Sequence, residues 1–210
     1  MSQEMTKLKI LNLYAGIGGN RKLWDGDIEV TAVENVPEIA KIYQDFFPND
    51  KVIVTDAHQY LLDHFKEYDF IWASPPCPSH SRINFLNNQK IEKGITPKFP
   101  DMKLYEEIIF LKTWFKGNWV IENVISYYPP LIKPFQSGSH YFWSNFVISD
   151  FGNIKRGIRE SLAFVSKKVG FDISGYSGGD KRKILNNCVE PKLGLHVFKQ
   201  AFKEKQEVLA

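Results

Sequence analysis

Short apolar runs with the composition of β-strands alternate with segments of helical spacing through the first half of the chain. The predicted strands are residues 8–14, 29–34, 52–54, 70–73 and 119–121. The predicted helices are residues 38–47, 58–66 and 101–115, the first of them preceded by Pro37. Strands that alternate with helices at this interval form βαβ units. The sequence therefore predicts an α/β domain with a mostly parallel sheet, helices on both faces and right-handed crossovers.

The turns after the first three predicted strands carry residues that suit a nucleoside. Gly16, Gly18 and Gly19 allow close backbone approach to a ligand, although their spacing does not match the dinucleotide-binding fingerprint and a plain turn is the alternative. Glu34 ends the second strand, where α/β folds place an acid that accepts hydrogen bonds from ribose hydroxyls. Asp56 follows the third strand and could receive an adenine amino group. Either acid alone could be a cap or a surface charge, but together they predict a nucleoside cofactor across the strand ends.

A cysteine and a glutamate follow two further apolar runs. Cys77 lies in a Ser-Pro-Pro-Cys-Pro turn directly after the fourth predicted strand, and Glu122 comes at the end of the fifth. Ligands of open α/β sheets bind outside the carboxyl ends of the strands, so the thiol and the acid are expected to face one pocket. A loop position at a helix start, followed by polar residues, would favour the thiolate. The alternatives are an inert buried thiol and a strand-end acid paired with a lysine.

Composition limits the class of protein and the cellular compartment that fit the chain. The 210 residues suit one domain, and a net charge of +3 permits a nucleic-acid partner without indicating one. Two cysteines, Cys77 and Cys188, are too few for a disulfide framework and have no metal-ligand spacing. No segment approaches the roughly 18 uninterrupted apolar residues of a membrane span. A cytoplasmic protein without a metal or a membrane partner is expected.

The second half of the chain is less regular. Residues 82–100 read as a long polar loop, 140–148 as an extended segment, and residues 144–180 are rich in glycine with little periodicity. A last helix is predicted from about Pro191, with Leu193, Val197 and Phe202 on the face that packs on the sheet.

The order of these motifs resembles that of the DNA cytosine carbon-5 methyltransferases. The matching stretches are Tyr-Ala-Gly-Ile-Gly-Gly at 14–19, Glu-Asn-Val at 34–36, Ser-Pro-Pro-Cys at 74–77 and Glu-Asn-Val at 122–124. Residues 101–104 and 183–189 with Pro191 look like further motifs of that family, with Asn186 at the position of a usual glycine. The resemblance covers residues 8–143 and 181–204, and it implies a Rossmann-like fold that depends on S-adenosylmethionine.

The resemblance implies a role for each matching residue. Cys77 would add to carbon 6 of cytosine and Glu122 would hold the ring nitrogen and amino group, while the target base is flipped out of the DNA duplex. The implied cofactor-binding residues are Tyr14, Ala15, Gly16, Gly18, Gly19, Glu34, Asn35, Asp56, Ala57, Pro76, Leu104, Asn187 and Cys188. The implied substrate-binding residues are Ser81, Arg82, Asn123, Arg156 and Arg159.

The chain departs from the family at 136–145, which resembles the Gln-x-Arg-x-Arg motif in a variant that runs into Tyr-Phe-Trp. Gly138 and His140 then replace both arginines, one of which normally holds the cytosine carbonyl oxygen. His140 is a candidate for that role, and a structural strand histidine is the alternative. Arg82 or Arg156 could also serve.

The region available for target recognition is short. The catalytic domain is expected to comprise residues 1–143 and 181–210, which leaves 144–180 as a reduced recognition segment. The basic residues Lys155, Arg156 and Arg159 suit phosphates, which position a duplex without specifying sequence, although a solvated charge run is the alternative.

Four hypotheses about function follow. The leading one is a compact, monomeric DNA cytosine methyltransferase, as in restriction-modification, with a possible partner subunit for recognition. The others are methylation of cytosine in RNA or in free nucleotides, a catalytically silent DNA-binding relative, and a nucleotide-binding oxidoreductase. The glycine spacing and the unneeded thiol disfavour the oxidoreductase.

Overall fold

The computed structural model describes residues 7–82, 86, 99–152 and 160–203, and these form one mixed sheet flanked by helices. The strands are β1 Leu8–Leu13, β2 Ile28–Val33, β3 Lys51–Ile53, β4 Phe70–Ala73, β5 Asn118–Val124, β6 Phe135–Ser137 and β7 His140–Ser144. The helices are α1 Pro37–Phe46, α2 Ala57–His64, α3 Lys103–Trp114, α4 Leu162–Val169, α5 Lys181–Asn186 and α6 Pro191–Ala201, with a 3-10 turn at Phe65–Glu67.

The order of the strands creates a switch point at the centre of the sheet. The seven strands lie in the order β3-β2-β1-β4-β5-β7-β6, and the first five run parallel. β7 pairs antiparallel with β5 and with β6. The chain moves outward from β1 to β3 and then returns to place β4 on the other side of β1. Ligand crevices of open α/β sheets lie outside the strand ends at such a reversal.

Alternating residues of the central strands bury side chains on both faces of the sheet. On β4, Ile71 and Ala73 join a cluster with Leu61 of α2 and Leu111 of α3. The alternate residues Phe70 and Trp72 join the cluster on the opposite face, with Trp24, Leu193 and Val197. All four β4 side chains are fully buried, as expected for a central strand covered by helices on both sides. The expected fold, a mostly parallel α/β sheet of Rossmann-like type, is confirmed.

Polar side chains and prolines fix where the helices begin. Asp56, Ser161, Asp180 and Glu190 each accept a hydrogen bond from the backbone N–H three residues later. Pro37 and Pro191 begin α1 and α6, where the missing N–H costs nothing. These residues fix the position at which each of these helices begins.

The sequence prediction differs from the structure chiefly after residue 130. The five parallel strands were predicted in order, but β5 extends to Val124 and the extended segment from His140 ends at Ser144. The short strand β6 and the helices α4 and α5 were not predicted. Phe202 caps α6 with 43% of its surface exposed, and its ring centroid lies 5.6 Å from that of Phe70 in β4, so it packs on the sheet as predicted.

Part of the segment assigned to target recognition is packed into the body of the protein. Val165, Phe171 and Ile173 are buried in one cluster with Ile17 of the glycine loop and Ile42 of α1. This part of residues 144–180 therefore covers the loop after β1. The division of the chain into a catalytic domain and a recognition segment remains a prediction. Within the ranges described, no helix has the length and apolarity to cross a membrane.

Candidate active site

A cavity of about 610 Å³ opens at the carboxyl ends of β1, β2, β4 and β5, and its volume lies within the range of small-molecule sites. Of the residues assigned to the cofactor, Tyr14, Ala15, Gly16, Gly19, Glu34, Asn35, Ala57, Pro76, Asn187 and Cys188 line it. Cys77, Glu122, Asn123 and His140 line it as well. Residues separated by more than a hundred positions in the chain therefore meet in one cavity because their strands end at the same edge.

The loop after β1 turns sharply through left-handed backbone conformations. Tyr14 has φ +54°, which is unusual for a residue with a side chain, and Gly16 and Gly18 have φ +54° and +83°. A Cβ on Gly19 would lie 2.2 Å from the Cys188 Sγ, so the loop touches the segment before α6 directly. Gly18 was assigned to the cofactor, but a Cβ there would point at the rings of Tyr43 and Phe47. Its closest neighbours thus belong to α1 and the residue that follows it.

Glu34 is held at the mouth of β2 by two backbone N–H groups. Gly16 N–H donates to its Oε2 and Val36 N–H to its Oε1, both at 3.0 Å. Each carboxylate oxygen keeps a further lone pair, so the buried side chain can still accept hydrogen bonds from a ligand. This arrangement, beside the glycine-rich loop after β1, suits the ribose of an adenosyl group.

A smaller pocket of about 100 Å³ adjoins the cavity and shares Tyr14, Asn35, Pro75 and Pro76 with it. Asp56 and Leu104, both assigned to the cofactor, line this pocket and not the main cavity. Asp56 Oδ1 accepts the Gln59 N–H at 2.8 Å, which leaves its other oxygen available to a ligand. A planar group that reaches past Tyr14 would meet both residues.

Hydrogen bonds to the Pro75 and Cys77 carbonyls hold the turn that carries Cys77. Asn123 of β5 donates from Nδ2 to the Pro75 carbonyl at 3.0 Å, and its Oδ1 accepts the Val124 N–H. The Cys77 carbonyl accepts the N–H groups of His80 and Ser81. Asn123 lines the cavity, but its amide is engaged by the backbone, and it therefore positions the Cys77 turn.

The environment of Cys77 favours the thiol. Burial raises the pKa of Cys77, and the nearby Glu122 carboxylate raises the pKa further. Cys77 lies in a hydrogen-bonded turn and not in the first turn of one of the helices given above. The expectation of a favoured thiolate is therefore wrong for the ligand-free protein, because the negative neighbour and desolvation outweigh the polar residues that follow.

Glu122 and His140 face each other across β5 and β7. Phe142 pairs with Glu122 and His140 with Val124, which brings His140 Nε2 to 3.6 Å from Glu122 Oε1. Each side chain is only 9% exposed. This distance is longer than a hydrogen bond but within the range of an ion pair when the imidazole is protonated, and both side chains border the space beside Cys77.

The residues assigned to substrate are divided by the structure. Ser81 bridges to Ser126, and Arg82 Nε donates to the Ser126 carbonyl at 3.4 Å, so both lie beside the cavity and not in its wall. Arg156 and Arg159, together with Lys155, lie outside the described residues.

Sequence reasoning missed part of the cavity wall. Ile39 and Ile42 of α1 and Lys183 and Ile184 of α5 line it, as do residues 177–180. The helical spacing of Ile39 and Ile42 is a signal in the sequence, but it does not distinguish a cavity wall from core. Among the described side chains, no group of three or more His, Cys, Asp or Glu is placed to hold a metal ion.

One known protein family has a sequence model that matches part of the chain. The sequence model of the C-5 cytosine-specific DNA methylase family matches residues 8–109, which include the glycine loop, Glu34 and Cys77. No curated protein sequence matches the chain.

Similar solved structures include several methyltransferases. A mutant of DNMT2 from Spodoptera frugiperda is 26% identical and aligns over 56% of this chain and 36% of its own, with a TM-score of 0.38. The methyltransferase EhMeth of Entamoeba histolytica is 16% identical over 57% and 38%, with a TM-score of 0.36. A SAM-dependent methyltransferase from Agrobacterium tumefaciens is 14% identical over 59% and 41%, with a TM-score of 0.40. The chain thus spans about two fifths of the length of these proteins or less.

Proposed function

We propose that this chain, whose residues 8–109 match the sequence model of the C-5 cytosine-specific DNA methylase family, methylates carbon 5 of cytosine in DNA. The reaction would proceed through a covalent adduct between Cys77 and carbon 6 of the base. The observation that carries the proposal is the meeting of Cys77, Glu122 and His140 in one cavity with the Glu34 loop.

The residues of the cavity fit S-adenosylmethionine. The glycine loop forms a cradle in which a Cβ on Gly19 would collide with Cys188, and Glu34 offers acceptors for ribose hydroxyls. Asp56 and Leu104 in the adjoining pocket suit an adenine ring. When bound there, S-adenosylmethionine supplies a methyl group on a positively charged sulfur.

Cys77 activates a carbon that is otherwise a poor nucleophile. Its sulfur bonds to carbon 6, the C5–C6 double bond shifts its electrons into the ring, and N3 takes a proton. The thiol proton must leave during addition, because the raised pKa of Cys77 keeps the sulfur protonated beforehand. After carbon 5 receives the methyl group, the uncharged thioether is left behind. Carbon 5 would then lose its own proton, N3 would return its proton to Glu122, the C5–C6 double bond would re-form and the sulfur would depart as thiolate. The proton from carbon 5 carries away the positive charge that the sulfonium brought, so atoms and charge balance.

Glu122 and His140 are suited to the proton that N3 receives. Glu122 would take up a proton and pass it to N3, and its other oxygen would accept from the amino group of cytosine. His140 Nε2, 3.6 Å from Glu122, can return a proton to that carboxyl or donate to the cytosine carbonyl oxygen in place of the missing arginine. Asn123 keeps the Cys77 turn in place through the Pro75 carbonyl.

DNA is the proposed substrate because the family model describes DNA methylases. A cytosine inside a duplex cannot reach a cavity of this kind, so the base would flip out of the stack. RNA and free cytosine nucleotides share the same reactive ring and are tested as competing substrates.

The test compares methyl transfer from labelled S-adenosylmethionine to duplex DNA, RNA and deoxycytidine monophosphate. Label in DNA that disappears with Cys77→Ser supports the proposal, and label confined to RNA or nucleotide refutes the DNA substrate. DNA containing 5-fluorocytosine then traps the adduct, because fluorine cannot leave as a proton does. A stable complex of wild type, absent with Cys77→Ser, identifies the nucleophile and excludes a catalytically silent protein.

A further inference from the structure

A buried glutamate lies behind the wall of the cavity and has no place in the chemistry described above. Glu107 of α3 is 1% exposed, and its Oε1 accepts a hydrogen bond from the Tyr14 hydroxyl at 2.5 Å. His58 Nδ1 lies 2.9 Å from the same oxygen. Among the described residues, Glu107 Oε2 is buried without a hydrogen-bond partner. The hydrogen bonds described for this carboxylate therefore both involve Oε1, and their partners are Tyr14 and His58.

Both partners of Glu107 connect it to the cofactor side of the cavity. Tyr14 lines the main cavity and the adjoining pocket, and it begins the glycine loop. Its φ of +54° is a conformation that a residue with a side chain adopts only when its surroundings hold it there. The hydroxyl bond to Glu107, from 93 residues away, is such a restraint. His58 directly follows Ala57, another cavity residue.

The carboxylates around His58 favour its protonated form. Its hydrogen bond to Glu107 raises the pKa of His58, against the opposing effect of partial burial, and the nearby carboxylate charges add to the rise. Glu106 Oε2 lies 3.6 Å from His58 Nε2 and is exposed, while Lys103 lowers the pKa. Protonated His58 thus neutralises a carboxylate that burial would otherwise penalise.

We infer that Glu107, His58 and the Tyr14 hydroxyl form a buried network that positions the cofactor loop, so that adenosyl binding weakens when the Tyr14 hydroxyl or its Glu107 acceptor is removed. The inference rests on the proposed function, since it assigns the loop to S-adenosylmethionine. Tyr14, Glu107 and His58 are positioning residues, because Glu107 and His58 act on the ligand through Tyr14.

The raised pKa of His58 makes the free energy of unfolding depend on pH. The contribution of the pair is complete below the ordinary value of 6.5 and is lost as the pH rises through the higher value in the folded protein. His80, which lines the adjoining pocket, has a lowered pKa and so stays neutral over that interval. The Tyr14 hydroxyl stays protonated, because burial and Glu107 raise its pKa far above its ordinary value.

The test measures binding of S-adenosylhomocysteine by isothermal titration calorimetry, together with thermal unfolding of each variant between pH 6 and pH 9. Tyr14→Phe should bind about tenfold more weakly than wild type, the size expected for loss of a hydrogen bond to a charged group. Glu107→Gln keeps an acceptor for the Tyr14 hydroxyl and should retain more affinity than Glu107→Ala. The unfolding temperature of His58→Gln should depend less on pH than that of wild type.

Tyr60→Phe is the matched control, because Tyr60 lies on the same helix as His58 but its hydroxyl contacts the Tyr68 hydroxyl and not Glu107. It should keep the affinity of wild type. A folded Tyr14→Phe protein that binds as tightly as wild type, or a Glu107→Ala protein that does, overturns the inference. A folded wild type that does not bind S-adenosylhomocysteine at any pH refutes the cofactor assignment, and the network's proposed role with it.

Discussion

Gly19→Ala should destabilise the protein by closing a space that the fold needs empty. The new Cβ would lie 2.2 Å from the Cys188 Sγ and 2.3 Å from the Val189 carbonyl oxygen. Ordinary contacts at such a Cβ begin near 3.4 Å, so the loop and the segment before α6 must separate by about an ångström. Cys188 and Val189 are 6% and 7% exposed, and Val189 packs against Leu193 and Val197 in one of the two sheet-face clusters.

The expected cost is about 3 kcal/mol, the upper part of the range for overpacking, because one clash is with backbone. For a chain of this length that corresponds to a fall in the unfolding temperature of about 6–12 °C. Urea and thermal unfolding followed by tryptophan fluorescence measure both quantities. S-adenosylhomocysteine affinity should fall as well, since Gly19 and Cys188 both line the cavity.

Gly175→Ala is the matched control, because a Cβ at Gly175 meets no atom within 4 Å and its backbone is not left-handed. It should leave stability unchanged or raise it by up to about 1 kcal/mol. Cys188→Ala in the Gly19→Ala background should recover part of the loss, because the sulfur clash is removed and the carbonyl clash remains. A Gly19→Ala protein within about 0.5 kcal/mol of wild type would refute the contact on which this reasoning depends.

Three further predictions concern the side chains around Cys77 in the cavity. Glu122→Gln should lower the pKa of the Cys77 thiol by removing a negative neighbour, so the alkylation rate with iodoacetamide should rise at a lower pH than in wild type; an unchanged profile would contradict the electrostatic assignment. Asn123→Ala should release the Pro75 carbonyl and lower methyl-transfer kcat by about tenfold or more, with little change in cofactor affinity measured by calorimetry. His140→Ala should lower kcat/KM for cytosine more than His140→Gln, which keeps a hydrogen-bond donor, and equal losses would argue against that role.

The fold and much of the cavity could be predicted from local patterns. Each parallel strand contains a short apolar run, the glycines, Glu34 and Cys77 come soon after their strands in sequence, and Glu122 lies near the end of β5. Parallel strands end at one edge of the sheet. The meeting of residues far apart in the chain can therefore be predicted without any knowledge of side-chain contacts.

The features that could not be predicted depend on distant partners or on weak local signals. The helix α4 is only two turns long, and its Ser161 cap and Gly170 end were not recognised within a glycine-rich segment. The Glu107 bond to Tyr14 joins residues 93 apart and leaves no pattern in sequence. The raised pKa of Cys77 likewise depends on burial and on Glu122, which a list of neighbouring residues does not reveal.

The most direct test is nucleoside mass spectrometry on DNA from methylation-free cells that express the wild type, Cys77→Ser or Glu122→Gln. The proposed mechanism predicts 5-methylcytosine with wild type and none with Cys77→Ser, while Glu122→Gln gives far less. DNA without 5-methylcytosine in cells that contain folded wild-type protein would contradict cytosine methylation of DNA by this chain. 5-Methylcytosine that persists with Cys77→Ser would contradict the covalent role of Cys77.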